Sequence, residues 1–359
     1  MRKSIAVIPG DGVGKEVIRE AVKVLKTFNE LQLTDFNITS FDFGADHYLE
    51  TGIGLPDEFI QELQKNYDSL ILGPLGDPRI PNMDHAREII LKLRNKLDLY
   101  VNHRWIKVLH PDFFPLMHSN LNKIDIHLFR ESTEGAFIAA GGATYEHTDN
   151  EIAVQEILYT RKGVDRIIRY AFEYARDHGQ KKVTMADKSN VLRFTDGLWL
   201  RVFNQIKKEF DDITANHQYI DKLAHELVRA PEQFEVIVTT NLFGDILSEI
   251  GAAIQGGLGL ASSGNYKPGH FGVFRPLHGA ATNMAGKNVG NPFGAILSVQ
   301  LMMEYFGKPN LGRLVEDAVR HCLDHRLVTR DLDGSMGTGE VGDYTCQAIE
   351  NLYSKETNK

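Results

Sequence analysis

Short, continuous apolar runs alternate with amphipathic stretches along most of this chain. The runs are bounded by turn residues and comprise Ile5–Ile8, Ser69–Leu72, Ile124–Phe129, Lys182–Met185 and Val236–Thr239. Such runs are typical of strands in a sheet that is covered on both faces. The stretches Glu16–Leu33 and Val164–Asp177 place their apolar residues on one helical face. The alternation predicts an α/β fold with a largely parallel sheet.

Length and composition limit the remaining possibilities. The chain has 359 residues, which favours two domains or one large α/β unit. No linker rich in Pro, Gly or Ser divides it, so we expect any second domain to be an insertion. The net charge is −8 without a basic block, which argues against nucleic-acid binding. No apolar run reaches the ~20 residues that span a bilayer, so we expect no membrane association.

The low cysteine content and the N-terminal residues predict the cellular compartment. Only Cys322 and Cys346 are present, so the chain has neither a disulfide framework nor a cysteine-rich zinc site. The first residues lead directly into the strand-like run Ile5–Ile8 and do not resemble a secretory signal. We therefore expect a cytoplasmic protein.

A glycine-rich turn follows the first predicted strand. Its glycines stand at positions 10, 12 and 14, whereas the dinucleotide fingerprint requires the spacing G-x-G-x-x-G. The turn therefore predicts a tight connection to a helix more strongly than it predicts a phosphate-binding loop.

Three arginines stand near the ends of predicted elements. Arg94 closes the helical run Ile89–Arg94, Arg104 follows the strand-like Leu99–Asn102, and Arg130 ends the strand Ile124–Phe129. Ligands of parallel sheets gather at the carboxyl ends of the strands, where guanidinium groups can bind carboxylates through paired hydrogen bonds. Three surface arginines would produce the same pattern, so both interpretations stay open here.

Other polar residues follow predicted strands. Lys188 is either an exposed loop lysine or a proton carrier. Asp245 and Glu249 are four residues apart, so both carboxylates project from one helical face, and Asp221 could complete a set of oxygen ligands for Mg²⁺ or Mn²⁺. Two solvated acids near a helix start are the alternative. His278, in a loop of small residues, could contact an adenine.

Taken together, six segments resemble the isocitrate/isopropylmalate dehydrogenase family, the β-decarboxylating dehydrogenases. In chain order they are IPGDGVGKEV, LRNKLDLYVNHR, FRESTEGAF, DKSNVL, NLFGDILSE and RPLHGAATNMAGK. The resemblance implies a two-domain, non-Rossmann α/β fold with parallel or mixed sheets flanked by helices. It also implies a homodimer with shared active sites between the domains. We expect residues 1–103 plus 256–359 to bind the cofactor, and an inserted domain, 104–255, to bind substrate and metal and to dimerise.

The resemblance also assigns residues. It implies that Arg94, Arg104 and Arg130 bind the substrate's carboxylates and that Lys188 and Asp221, both from the partner subunit, act in catalysis. Metal ligands would be Asp221, Asp245 and Glu249, and the cofactor would contact His278, Gly279 and Asn283. The implied cofactors are NAD, with NADP left open, and Mg²⁺ or Mn²⁺.

This chain departs from the family's pattern at several of these places. Phe137 stands where a tyrosine usually protonates the enolate left by decarboxylation, Glu249 replaces an aspartate, and Arg275 replaces a glutamate. Asn283 replaces the aspartate of NAD-specific members, and Arg87 suits a polar or anionic substituent better than an isopropyl group.

The sequence therefore predicts a metal- and nicotinamide-dependent dehydrogenase of a malate-like 2-hydroxy acid, with or without decarboxylation. The alternatives are a 3-isopropylmalate dehydrogenase of leucine synthesis and a non-catalytic paralogue that binds a dicarboxylate.

Overall fold

The structure is a computed structural model that describes residues 2–116 and 123–357. Its strands are β1 (Arg2–Ile8), β2 (Asp35–Ser40), β3 (Ser69–Leu72), β4 (Val101–Lys107), β5 (Asp125–Glu131), β6 (Gly141–Thr144), β7 (Ile152–Gln155), β8 (Lys182–Asp187), β9 (Thr214–Tyr219), β10 (Val236–Thr239), β11 (Ser262–Lys267) and β12 (Phe271–Pro276). Its α-helices are α1 (Gly14–Glu30), α2 (Ala45–Thr51), α3 (Asp57–Asn66), α4 (Asp84–Lys96), α5 (Arg161–Asp177), α6 (Thr195–Ile206), α7 (Ile220–Arg229), α8 (Asn241–Ile254), α9 (Phe293–Tyr305), α10 (Pro309–Asp324) and α11 (Thr338–Thr357). The predicted α/β class is confirmed.

The chain forms two compact units. Unit one contains Met1–Leu99, Val108–Pro115 and Gln255–Lys359, and unit two contains Tyr100–Lys107 and Leu116–Ile254. The assignment of cofactor binding to 1–103 plus 256–359, and of substrate binding and dimerisation to 104–255, stays a prediction.

Unit one is built on strands in the order β2-β1-β3-β12-β11. β1 pairs in parallel with β2 and β3, β3 pairs in parallel with β12, and the hairpin β11–β12 is antiparallel. The predicted run Ile5–Ile8 forms the buried end of β1. On α1 the predicted apolar face is buried, and the helix ends at Glu30 because Gln32, two residues on, has a left-handed backbone.

Unit two is built on strands in the order β4-β5-β10-β8-β9. β4 and β5 are antiparallel, whereas β5, β10, β8 and β9 pair in parallel. The apolar face predicted for Val164–Asp177 is buried on α5, which packs on β5, β8 and β10. The strand pairing of this unit is therefore mixed, with parallel and antiparallel neighbours.

A two-stranded ribbon projects from the same unit. β6 and β7 pair with each other, and all eight of their residues are exposed. Among residues 2–116 and 123–357, no helix has the length and apolarity needed to cross a membrane.

Candidate active site

Arg130 on β5 is the most buried of the predicted arginines. Its side chain is only 1% exposed, its Nε donates to Asn241 Oδ1 at 2.8 Å, and its guanidinium forms an ion pair with Asp245. Asn241 and Asp245 lie one turn apart on α8, which packs on β5. A predicted carboxylate-binding residue and a predicted metal ligand are thus in direct contact.

The glycine before Asp245 makes this contact possible. A Cβ at Gly244 would stand 2.6 Å from Arg130 Cβ, which is closer than atoms of packed side chains approach. Only glycine fits at this position. Because Gly244 has no side chain, α8 can lie against the aliphatic part of Arg130, and Asp245 reaches the guanidinium.

Arg104 shares a sheet face with Arg130. The register pairs Asn102 with Arg130 and Arg104 with Leu128, so Asn102, Arg104 and Arg130 point to the same side. Arg104 Nε donates to Asn102 Oδ1 at 3.0 Å. The expectation that Arg104 follows a strand over Leu99–Asn102 is wrong, because β4 pairs with β5 along Val101–Lys107 and places Arg104 in mid-strand.

Phe137 lies beside the same guanidinium. Arg130 Cζ is 5.0 Å from the centroid of its ring, which is within the range of a cation–π contact. The residue that departs from the family's tyrosine is therefore in contact with Arg130 in this chain.

Lys188 follows β8 and pairs with Asp221, the second residue of α7. Lys188 Nζ donates to Asp221 Oδ1 at 2.5 Å, and this hydrogen bond lowers the pKa of the Asp221 carboxyl. The two residues predicted to act in catalysis are thus direct neighbours within one chain. They lie in unit two, as Arg104, Arg130 and Asp245 do.

Buried polar residues hold the lysine in place. The Lys188 backbone N–H donates to Asp196 Oδ2 at 2.7 Å, and burial raises the pKa of the Asp196 carboxyl. The preceding Asp187 is fully buried, and its Oδ1 accepts from Ser189 N and lies 2.9 Å from His217 Nε2. Sequence reasoning missed Asp196 and His217, which lie eight positions after Lys188 and 30 positions after Asp187. The one available signal was the aspartate that directly precedes Lys188 in DKSN.

The predicted metal acids provide the donor chemistry that a hard divalent ion requires. Asp245 and Glu249 are exposed to solvent on successive turns of α8, as their spacing predicts, and both offer carboxylate oxygens. Within residues 2–116 and 123–357, no group of three His, Cys, Asp or Glu side chains is close enough to hold a metal ion. Two donors from one chain and Asp221 from a partner subunit would fit such an ion.

In unit one, the predicted cofactor loop is anchored on the glycine-rich turn. Val13 N donates to Ala280 O at 2.8 Å, and Glu16 accepts from Gly286 N at 3.1 Å and from Asn288 N at 2.9 Å. Gly12 has φ +55°, and a Cβ there would stand 2.0 Å from Ala280 O. The glycine at position 12 therefore allows the turn to approach this loop.

His278 has one nitrogen available for a ligand. Its Nδ1 lies 3.0 Å from Gly279 O, while Nε2 is buried and has no hydrogen-bond partner among the described residues. Burial lowers the pKa of His278, with the charge of Arg275 adding to the effect, so the ring is neutral and Nε2 is an acceptor. This orphaned acceptor fits the amino group of an adenine. Gly279 and Asn283 are both exposed on the same loop.

The last predicted residues lie on α4 in unit one. Residues 85–90, which include Arg87, form part of this helix. Arg87 is exposed, whereas Arg94, seven residues on along the same helical face, is buried. Arg94 lines a small cavity together with Arg275 and Asn265.

Comparison with known proteins identifies the family of this chain. The family model for isocitrate/isopropylmalate dehydrogenase matches residues 4–345. The chain belongs to the isocitrate/isopropylmalate dehydrogenase family. Members of this family are in general NAD-dependent, metal-requiring hydroxy-acid dehydrogenases, and the chain is a dehydrogenase of this family.

Individual relatives cover nearly the whole chain. Homoisocitrate dehydrogenase of Methanocaldococcus jannaschii is 40% identical over 94% of this chain and 95% of its own. A probable tartrate dehydrogenase/decarboxylase of Bacillus subtilis is 38% identical over 97% and 98%. The crystal structure of isocitrate dehydrogenase from Methylococcus capsulatus superposes with a TM-score of 0.86 at 34% identity, covering 97% and 99% of the two chains. The predicted family and its fold are confirmed.

Proposed function

We propose that this enzyme oxidises a malate-type 2-hydroxy acid with NAD in the presence of Mg²⁺ or Mn²⁺. The observation that carries the proposal is the contact between Arg130 and Asp245. A 2-hydroxy acid presents a carboxylate beside its hydroxyl, so a guanidinium next to a metal ligand matches the two groups that must be held together.

Each residue then has a definite task. Arg130 and Arg104 lie on one sheet face and orient carboxylate groups. Arg94, buried in unit one, is the third arginine that the family resemblance assigns to the substrate. Asp245, Glu249 and the partner subunit's Asp221 would hold the metal ion. A bound ion would supply polarisation of the oxygen on the reacting carbon, and NAD would supply the hydride acceptor.

Lys188 and Asp221 handle the proton of the substrate hydroxyl. Lys188 Nζ lies 2.5 Å from Asp221 Oδ1, and the lowered pKa of Asp221 keeps its carboxylate ionised. The carboxylate therefore stabilises a proton held on Lys188 Nζ. The hydrogen bond from the Lys188 backbone N–H to Asp196 fixes the backbone position from which the lysine side chain extends. We propose that a pair from one subunit serves the site of the other, as the family resemblance implies.

Exposed apolar side chains in unit two support a homodimer. Phe194 is 92% exposed and Val191 is 64% exposed, close after Lys188 in the chain. The ribbon of β6 and β7 exposes Ile152 and Val154, and a two-stranded ribbon alone is marginally stable in water. We propose that a second copy covers these residues.

Unit one contributes the cofactor residues. His278 Nε2 would accept from the adenine amino group, and Gly279 and Asn283 lie on the same anchored loop. The loop segment Thr282-Asn283-Met284 offers no cation for a 2′-phosphate, so we propose that NAD is preferred over NADP with weak discrimination.

A substrate panel tests the proposed function. Purified enzyme with Mn²⁺ should produce NADH from at least one malate carrying a polar third substituent, and EDTA should abolish the reaction. 3-Isopropylmalate belongs in the same panel, since leucine synthesis is the alternative pathway. Absence of NADH and NADPH with every malate derivative would refute the proposal.

A further inference from the structure

Two adjacent strands of unit two lead to the residues of the Lys188–Asp221 pair. β8 and β9 are parallel neighbours, and their last residues, Asp187 and Tyr219, stand opposite each other. Lys188 directly follows β8, and Asp221 is the second residue of α7, which begins directly after β9. The distance between the two side chains therefore depends on how the ends of these two strands are held together.

His217 on β9 contacts both strand ends. Its Nε2 donates to Asp187 Oδ1 at 2.9 Å, and Asp187 is the last residue of β8, directly before Lys188. Its ring meets the ring of Tyr219 edge to face, with centroids 5.3 Å apart and planes at 88°. Tyr219 is the N-cap residue of α7, two positions before Asp221. One imidazole thus connects the residue that precedes the lysine with the residue that opens the helix of the aspartate.

The strand register explains why the imidazole reaches both residues. Met185 pairs with His217 and Asp187 pairs with Tyr219, so all four side chains project from one face of the sheet. His217 is the diagonal neighbour of Asp187, at a separation that a long side chain can span. The contact is therefore part of a regular strand pairing and does not depend on a loop conformation.

The Lys188–Asp221 pair is too exposed to hold its own geometry. The two side chains are 27% and 67% exposed, and an ion pair between exposed groups contributes little to the free energy of folding. The side chain of Tyr219 makes no capping hydrogen bond to the start of α7 within residues 123–357. Asp187, in contrast, is fully buried, and the hydrogen bond that it accepts from His217 is charge-assisted. The contact beneath the pair is thus more rigid than the pair itself.

We propose that His217 is a positioning residue of this enzyme. By joining Asp187 to Tyr219, it sets the distance between Lys188 Nζ and the Asp221 carboxylate. The inference rests on the function proposed above, in which this pair handles the proton of the substrate hydroxyl. Because proton transfer requires this geometry whereas substrate binding does not, loss of the contact should lower kcat and leave KM nearly unchanged.

Two replacements of His217 separate positioning from a structural role. The side-chain amide of Gln can donate to Asp187 from near the place of Nε2, whereas Met has a similar length and no donor. With a malate-type substrate, His217→Met should lower kcat by about 10- to 100-fold, and His217→Gln should restore most of it. KM should change by less than about 3-fold in both variants. Native kcat in folded His217→Met, with only its urea midpoint lowered, would show a structural role and overturn the inference.

A matched histidine is the control for this series. His225 is exposed on α7, the helix that carries Asp221. His225→Met makes the same chemical change on that helix without touching the ends of β8 and β9. It should leave kcat and KM at their native values.

A double variant keeps the test valid if His217→Met fails to fold. That variant leaves the buried Asp187 carboxylate without its ion-pair partner, and Asp187 Oδ2 has no hydrogen-bond partner among the described residues. Asp187→Asn removes the charge and keeps an oxygen for the Ser189 N–H and for His217, so it should retain kcat. Asp187→Asn combined with His217→Met should fold and show the lowered kcat. Native kcat in the double variant would overturn the inference.

A cross-linking measurement separates this inference from the proposed function. A carbodiimide joins an amine directly to a carboxylate in contact with it, and peptide mass spectrometry reports the Lys188–Asp221 link in EDTA whether or not any malate is oxidised. His217→Met should lower the yield of this link by about 10-fold or more, and His217→Gln should preserve it. The link between Lys3 and Asp68, which lie 2.7 Å apart in unit one, is the internal control. An unchanged Lys188–Asp221 yield in His217→Met overturns the inference even where the enzyme oxidises malates.

Discussion

Arg130 and Asp245 form an ion pair whose partners lie in opposite environments. The guanidinium is 1% exposed and the carboxylate is 46% exposed. The Asp245 carboxylate neutralises the buried Arg130 guanidinium on one side and faces solvent on the other. It can therefore stabilise the fold and bind a ligand at the same time. The buried partner has additional support from Asn241, which keeps its geometry defined.

The first prediction concerns the metal. Asp245→Asn should lower Mn²⁺-dependent kcat/KM at least about 100-fold, because an amide replaces a charged ligand. The amide oxygen still accepts from Arg130, so we expect the free energy of unfolding to fall by only about 1–2 kcal/mol. Initial rates over a Mn²⁺ titration and urea unfolding measure the two effects. Asp211→Asn, an exposed acid of the same unit, is the control. Full activity of Asp245→Asn at low Mn²⁺ would disprove the ligand assignment.

A second prediction concerns Phe137, which lacks the hydroxyl that would protonate an enolate. A positioned acid contributes typically about 10²–10⁴-fold in such a step. Parallel assays of the native enzyme should show NADH appearing faster than CO₂, and Phe137→Tyr should narrow the gap. Phe137→Leu removes the ring beside Arg130 without adding an acid and should leave the gap in place. Equal rates of NADH and CO₂ release in the native enzyme, unchanged by the tyrosine, would mean that another group is the acid.

The anchoring of the cofactor loop leads to a third prediction. Gly12→Ala places a Cβ 2.0 Å from Ala280 O, so it should destabilise the protein by more than about 3 kcal/mol and raise KM for NAD. Gly52 also has a positive φ, +72°, but a Cβ there would have nothing within 4 Å. Gly52→Ala should therefore cost only the backbone strain of about 1–2 kcal/mol and leave KM for NAD unchanged. Similar losses of unfolding free energy in the two variants would argue against the loop contact.

Stability should depend on pH through a buried histidine of unit two. His127 Nδ1 lies 3.0 Å from His103 Nε2 and 3.1 Å from Tyr174 OH, and burial lowers the pKa of His127 from 6.5 to about 3. Near pH 6.5 His127 therefore binds a proton in the unfolded chain, whereas the buried ring stays neutral in the folded chain. This contribution to stability is complete above pH 6.5 and is lost by about 1.4 kcal/mol per pH unit as the pH falls towards 3.

Urea unfolding between pH 7.5 and pH 5 measures this loss. His127→Gln replaces the imidazole with an amide, which can hydrogen-bond but does not titrate. The unfolding free energy of this variant should therefore vary less steeply with pH. An identical slope in the native protein and the variant would exclude His127 as the source.

The fifth prediction concerns cofactor preference. Asn283→Asp adds a negative charge on the exposed loop that repels a 2′-phosphate, and the ratio of kcat/KM for NAD to that for NADP should rise about 10-fold. Asn283→Ala removes the amide without adding charge and should leave the ratio nearly unchanged. A native enzyme that prefers NADP by 100-fold would contradict the underlying assignment.

Local pattern was sufficient for much of the fold. The strands predicted at Ser69–Leu72 and Val236–Thr239 are β3 and β10 to the residue, because buried strands bounded by turn residues carry their own signal. The position of Arg104 could not be read in this way. It depends on an antiparallel pairing with β5, which is a contact between distant parts of the chain.

The same distinction between local pattern and long-range contact applies to the candidate site. Six short segments were enough to indicate the family and to name the candidate residues. The partners of those residues were beyond reach, since Arg130 and Asp245 are 115 positions apart and His217 is 30 positions from Asp187. Sequence spacing shows which side chains share a helix face, but not which helix rests on which strand.

The anchoring of the loop that carries His278 and Asn283 bears on how this enzyme can change during evolution. Ala280 O accepts from Val13 N in the glycine-rich turn, and Gly286 N and Asn288 N donate to the Glu16 side chain on α1. Mutations that would shift the loop must break those bonds, whereas replacements of the exposed Asn283 side chain leave them intact. On the cofactor role proposed for Asn283, nucleotide preference can therefore change through single substitutions at this position while the loop backbone and the protein's folding stay the same.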